Sequence, residues 1–190
     1  MYPFFAFMKR MKYVRRWSLM RNSQDENLLE HSHETAMLAH ALAVIGNKYF
    51  GKNYDVDRTA VLALYHDSTE IITGDMPTPV KYANNELRTA YKNIEANAAE
   101  TILSMLPDEL CEDYRGLVSG DDSEEYRLVK YADKLSAYIK CIEERKTGST
   151  EFLKAEKSIL RELEHIESPE LRFFMERFLP AYELSLDEQT

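Results

Sequence analysis

Only two cysteines occur in the 190 residues, Cys111 and Cys141, and they form no CxxC pair. That excludes a disulfide framework and fits a reducing compartment. No apolar run approaches the roughly 20 residues that a membrane span needs. Six glycines and six prolines leave few turns, and no strand alternation, internal repeat or low-complexity segment is present. Acid is missing from residues 1–24, which hold Lys9, Arg10, Lys12, Arg15, Arg16 and Arg21. Those six of the 24 basic residues leave 18 against 33 acids in the remainder, or −15, behind a net charge of −9. An acidic surface repels a long polyanion, so a nucleic-acid polymer is not the expected partner, whereas an anionic small molecule suits the basic start. Solvated ion pairs account for most of those six cations.

What is present is a helical chain with 44% apolar and 30% charged residues, the balance of an ordinary globular protein. Its length suits one domain over 1–190, with a short acidic tail from about residue 186. The opening Met1 to Met8 is apolar, but its basic residues follow the apolar stretch and no small-residue cleavage site appears. A first amphipathic helix over 3–14 and a cytoplasmic protein are therefore expected. A polar connection with the only tryptophan, Trp17, spans 15–27. A long helix follows over 30–49 with Met37, Leu38, Ala41, Leu42 and Ile45 on its apolar side. Another starts near Asp57 and runs to His66-Asp67, with 68–73 continuing or restarting it. Gly74 to Pro79 reads as a loop, because prolines two apart cannot lie inside a helix. Helix resumes over 84–106, and Pro107 opens the next as a first-turn proline. A strongly periodic helix after Gly120 to Ser123 carries Leu128, Ala132, Leu135, Ile139 and Ile142, with Asp133 beside the stripe. Two more helices cover about 150–165 and 169–185.

The stretch Leu64 to Glu70 concentrates the chemistry. His66 and Asp67 place a nitrogen and a carboxylate side by side, and both can reach one ion at the helix surface between them. His31 and Asp133, on other helices, are further candidate ligands. His31 and His33 diverge by about 200° around their helix, and His33 and His40 lie roughly 10 Å apart along it, so only one histidine of that helix can join His66. His165 reads as surface. Glu70 falls one turn after His66-Asp67, placed to act on a water or substrate beside the ion. A competing structural reading exists, since Asp67-Ser68-Thr69-Glu70 has the spacing of a helix capping box.

The pattern His31, His66-Asp67, Asp133 resembles that of the HD-domain metal phosphohydrolases. The likeness extends through Arg16-Trp17, Glu30-His31-Ser32, Tyr65 to Glu70, Thr73 to Lys81, Tyr131-Ala132-Asp133 and the closing Leu184 to Glu188, and over nearly the whole chain the sequence is similar to the bacterial HD-domain 5'-deoxynucleotidases. That resemblance implies an all-α HD-domain bundle and hydrolysis of deoxyribonucleoside 5'-monophosphates with one divalent ion per chain. It implies His31, His66, Asp67 and Asp133 as ligands and Glu70 as the catalytic carboxylate. Arg16 and Trp17 become the phosphate- and nucleotide-contacting pair, and Asp75, Met76, Pro77 and Thr78 the substrate loop. It also implies a homodimer.

The residue chemistry agrees. Two imidazoles and two carboxylates suit Co²⁺, Mn²⁺ or Fe²⁺ and leave room for Mg²⁺ or Zn²⁺, while keeping positions open for water and phosphate oxygen. Arg16 offers a planar fork matched to phosphate. With no glycine-rich phosphate loop, metal and arginine must carry the phosphate, which fits a monophosphate better than a triphosphate. No histidine lies between Asp67 and Asp133, so a mononuclear site is expected rather than the two-metal sites of related diesterases and oxygenases. Glu70 could orient or deprotonate water, or protonate the leaving 5'-oxygen. A hydrolase of another nucleotide or phosphomonoester, and a non-catalytic nucleotide sensor, are the alternatives. Glu70 argues against the sensor.

Overall fold

The first helix is short because its apolar run is short: α1 covers Phe4–Met8 and tightens into a 3-10 segment over Lys9–Tyr13. The computed structural model describes residues 1–81 and 84–190, with Thr78 described through its backbone alone. An extended arm over 14–27 folds back on itself, Arg15 bridging antiparallel to Asn27. The arm ends in a cap. Asn27 Oδ1 accepts from the backbone N–H groups of Leu29 and Glu30 at 3.0 and 3.1 Å, and Glu30 Oε2 accepts from Asn27 N at 3.2 Å. This reciprocal box starts α2, Leu28–Tyr49, two residues earlier than the hydrophobic period suggests, and places His31 in its first turn.

Asp55 caps α3, Val56–Tyr65, by accepting from Arg58 N at 2.9 Å. His66 to Thr69 then form a tight turn closed by Ser68 N to Tyr65 O and Glu70 N to Asp67 O, at 2.9 and 3.0 Å, before the single turn of α4, Glu70–Thr73. The His-Asp pair therefore lies in a break between two helices rather than along one. The Asp67 to Glu70 capping box does not form, since no side chain caps α4. Pro79 lies inside the short α5, Thr78–Lys81, where a first-turn proline costs no hydrogen bond. Helix α6, Asn85–Leu103, ends before the expected 106, and Pro107 precedes α7, Asp108–Ser119, as its cap. The long α8, Glu124–Lys146, is capped by Ser123 and followed by α9, Leu153–Glu164, α10, Pro169–Arg177, and 3-10 segments over Leu179–Glu183 and Leu186–Glu188. No strand occurs among the described residues.

Helices α2, α3 and α8 form the centre of the bundle. Leu42, Leu62, Leu135 and Ile139 are fully buried between them, each stabilising the fold by about 1.5–3 kcal/mol. Leu38, Leu42 and Ile45 face this core as their spacing predicts, but Met37 is 57% exposed. It lines an open cleft with Glu34 of its own helix and Lys140 and Glu143 of α8, and that opening is not encoded in the local period. A second cluster packs Phe4 and Met8 against Ile102, Leu103, Leu106 and Val118. Tyr65 stacks on Phe4 and Tyr114 meets it edge-on there, so α1 buttresses the end of α3 where the His-Asp turn begins.

Candidate metal centre

Three elements deliver four side chains to one point. His31 comes from the first turn of α2, His66 and Asp67 from the turn after α3, and Asp133 from the middle of α8, and one ligand atom of each lies within 4.8 Å of the other three. His31 Nε2 is 3.1 Å from Asp133 Oδ1 and 3.5 Å from Asp67 Oδ2. His66 Nε2 is 3.1 Å from Asp67 Oδ2.

The ring orientations are set from behind. His66 Nδ1 donates to the Ala63 carbonyl at 2.7 Å, which leaves the Nε2 lone pair pointing into the cluster. That Nε2 is buried and makes no hydrogen bond. His31 Nδ1 lies 3.2 Å from Ser136 Oγ, which in turn donates to Glu34 Oε2 at 2.6 Å. Glu26 Oε1 lies 3.4 Å from the same nitrogen. Both imidazoles are thus braced on Nδ1 and turn Nε2 toward the carboxylates, that of His31 with Thr35 Oγ1 also 3.4 Å away, an arrangement a divalent ion can use.

Electrostatics gives the same answer. Burial opposes a charged His31, as does Arg16, but hydrogen bonds to Asp133, Asp67 and Glu26 prevail and push it up to about 10. Burial also opposes ionisation of Asp67 and Asp133; the two histidines outweigh it and hold both carboxyls well below their usual range. A field that draws a proton onto a fully buried imidazole also attracts a metal cation, which would displace that proton and leave neutral imidazole as ligand. The residues fit a divalent ion.

Glu70 is buried, with Oε2 making no hydrogen bond among the described residues. Burial, then Asp67 and Asp75, push its carboxyl up to about 9, against the pull of Arg16 and Lys81. Arg16 crosses from the arm to the cluster, its NH1 3.5 Å from Asp67 Oδ2 and its Nε 3.4 Å from Glu26 Oε1. Burial works against its cation, but Asp133, Asp67, Glu26 and Asp75 hold it charged. Trp17 has φ of 56°, a left-handed conformation that costs a non-glycine residue about 1–2 kcal/mol. It is held from two sides. Asp75 Oδ2 accepts from Trp17 N at 3.2 Å and Glu26 Oε2 from the indole Nε1 at 2.9 Å, while the ring meets Phe152 edge-on. Burial raises the Asp75 carboxyl despite Arg16 and the Trp17 N–H. Met76 and Pro77 are half-buried in the strip joining α4 to α5, and the Thr78 side chain lies outside the described residues.

The structure thus gathers His31, His66, Asp67 and Asp133 at one point, with Arg16 on its rim and Glu70 facing Asp67. Asp75 reaches the centre only through Trp17 and through charge. Sequence reasoning missed Glu26, Ser136 and Glu34, which brace His31. Nothing in their local sequence marks them, since each is one polar residue among many.

A family model described as 5'-deoxynucleotidase YfbR-like matches residues 3–182. A 5'-deoxynucleotidase of Vibrio vulnificus is 50% identical over 187 residues, 97% of this chain and 96% of its own. One of Shewanella oneidensis is 48% identical over 186 residues, 97% and 95% of the two chains. Among solved structures, an HD-domain phosphohydrolase of Listeria innocua superposes with a TM-score of 0.82 at 23% identity, covering 94% of this chain and 87% of its own. The cyanophage S-2L HD phosphohydrolase, solved bound to dA and one catalytic Zn²⁺ ion, gives 0.64 at 23% identity over 92% and 95%. These two likenesses show the fold.

Proposed function

The chain belongs to the YfbR-like 5'-deoxynucleotidase family, and from that premise we propose how its own residues release phosphate from deoxyribonucleoside 5'-monophosphates. The observation that carries the proposal is the convergence of two imidazoles and two carboxylates on one point, with the buried His66 Nε2 turned toward Asp67 and a charged arginine at the edge. His31, His66, Asp67 and Asp133 hold one divalent ion, Co²⁺ or Mn²⁺ by donor type, with Zn²⁺, Fe²⁺ or Mg²⁺ also compatible. When bound, that ion supplies Lewis acidity that makes a nucleophile of water near neutral pH and offsets charge on the phosphoryl group.

Arg16 grips the phosphate oxygens. Its guanidinium is already ordered by Asp67 and Glu26, so little side-chain freedom is lost on binding. Trp17 and the strip from Asp75 to Thr78 line the nucleoside side. Held up to about 9, Glu70 carries a proton at neutral pH in the metal-free protein, and a cation nearby lowers that value toward a group able to accept or return a proton. A protonated Glu70 can donate to the leaving 5'-oxygen, and an ionised one can take the proton of the attacking water. We read the enzyme as one HD domain over 1–190 that acts as a cytoplasmic homodimer. Among the described residues no helix is long and apolar enough to cross a membrane.

The test is phosphate release by metal-stripped protein resupplied separately with Co²⁺, Mn²⁺, Mg²⁺ or Zn²⁺, on matched deoxy- and ribonucleoside 5'-monophosphates. Metal-dependent turnover of the deoxy series is the expected result. Equal turnover of both series would retain the phosphohydrolase and remove the sugar selectivity. Absence of turnover with every metal would overturn the proposal.

A further inference from the structure

The side chain of Glu26 stands between the two halves of the site. Its Oε1 lies 3.4 Å from His31 Nδ1 and 3.4 Å from Arg16 Nε, and its Oε2 accepts from Trp17 Nε1 at 2.9 Å. Its backbone carbonyl accepts from Arg16 N at 3.0 Å. One residue thus meets a candidate metal ligand, the arginine on the rim of the cluster and the indole beside it. The carboxylate is 13% exposed, so the indole hydrogen bond and the two longer ion pairs form away from bulk water, where electrostatic contacts are less screened.

Its anchorage differs from that of the residues it holds. Glu26 directly precedes Asn27, the cap of α2, so its backbone is fixed to the end of a 22-residue helix. Arg16 and Trp17 belong to an arm without helical hydrogen bonds, and Trp17 is in a conformation that persists only when its surroundings impose it. The partners are also unequally replaceable. His31 Nδ1 keeps Ser136 if Glu26 is lost. Among the described residues Trp17 Nε1 has no other acceptor, and the Arg16 side chain keeps only its 3.5 Å contact with Asp67.

We infer that Glu26 is a positioning residue that fastens the Arg16-Trp17 arm to the metal-ligating end of α2, setting substrate affinity far more than metal affinity. The inference deepens the nucleotidase reading and rests on it for its kinetic readout. Glu26→Gln keeps the size but removes the charge and one acceptor oxygen. Trp17 is the only tryptophan, so its emission reports on the arm directly, without substrate or turnover.

In Glu26→Gln we expect a shifted Trp17 emission in metal-free protein and a KM for dAMP raised about tenfold or more at saturating metal. The change in kcat should be smaller, and the metal dissociation constant should weaken by less than the KM. Glu26→Asp, which keeps the charge, should restore part of the KM. Because the expected coupling runs through Arg16, adding Glu26→Gln to Arg16→Lys should raise KM by less than Glu26→Gln does alone. Unchanged emission, a KM that returns to wild type once metal saturates, or fully additive KM effects would each overturn the inference. A wild-type protein that turned over no nucleotide would defeat the nucleotidase reading, and the emission and metal affinity of Glu26→Gln would still decide whether Glu26 fastens the arm.

Discussion

Glu70 offers the sharpest physical test, because a buried carboxyl that keeps its proton makes stability depend on pH in a direction opposite to that of a salt-bridged one. In the folded metal-free protein the group is pushed up to about 9 from an ordinary value of 4.5, burial being the main cause and Asp67 and Asp75 adding to it. Between those values the folded chain binds a proton that the unfolded chain has released. Stability from this group therefore falls as pH rises, by up to about 1.4 kcal/mol per pH unit. Glu70→Gln has no proton to lose. Relative to wild type, the metal-free variant should gain on the order of 2–3 kcal/mol between about pH 5.5 and about pH 7.5. For a domain of this size that is roughly 4–12 °C in Tm. The assay is thermal unfolding of chelator-treated wild type and variant at the two pH values, since every other titrating group is common to both. Loaded with metal, the difference should shrink, because a nearby cation stabilises the wild-type carboxylate. Turnover should fall by about 10²–10⁴ in the variant under all conditions. Parallel Tm values across the pH range would show that Glu70 is ionised and solvated, and the reasoning from its burial would fail.

Three further outcomes follow from the same geometry. Asp133→Ala removes one of the four proposed ligands and should abolish metal stoichiometry and turnover together; full activity with bound metal would take Asp133 out of the site. Tyr54 donates to Glu170 Oε1 at 3.1 Å while Oε2 has no partner, so Tyr54→Phe should cost about 1–3 kcal/mol in urea unfolding with kinetics unchanged, and an unaltered midpoint would contradict this. Glu144, 1% exposed, binds Lys140 Nζ at 2.6 Å and Ser23 N at 2.9 Å, so Glu144→Ala should lose about 3 kcal/mol by leaving the buried Lys140 charge with the Gln24 carbonyl but no counter-charge. The same change should loosen the arm and raise KM, which a normal KM in the folded variant would disprove.

What the sequence by itself determined is what short-range rules can carry. The helical period located α2, α3, α6 and α8 to within a few residues, and His66-Asp67 with His31 and Asp133 named the four side chains that converge, because a resemblance in order and spacing preserves ligands wherever the chain folds them. The tertiary structure decided the rest. No glycine or proline marks the break after α3, and the turn at His66 to Thr69 exists where α1 and its aromatic partners buttress the end of that helix. Met37 matches the apolar side of α2 by period alone, yet is exposed in the open cleft that it lines with Lys140 and Glu143 of α8. The capping box belongs to Asn27 and Glu30 rather than to Asp67 and Glu70, since matching spacing satisfies backbone donors only where a helix starts. Glu26, Ser136 and the left-handed Trp17 carry no local signature either. Their roles are contacts with residues brought from other parts of the fold, and such contacts leave no period in the chain.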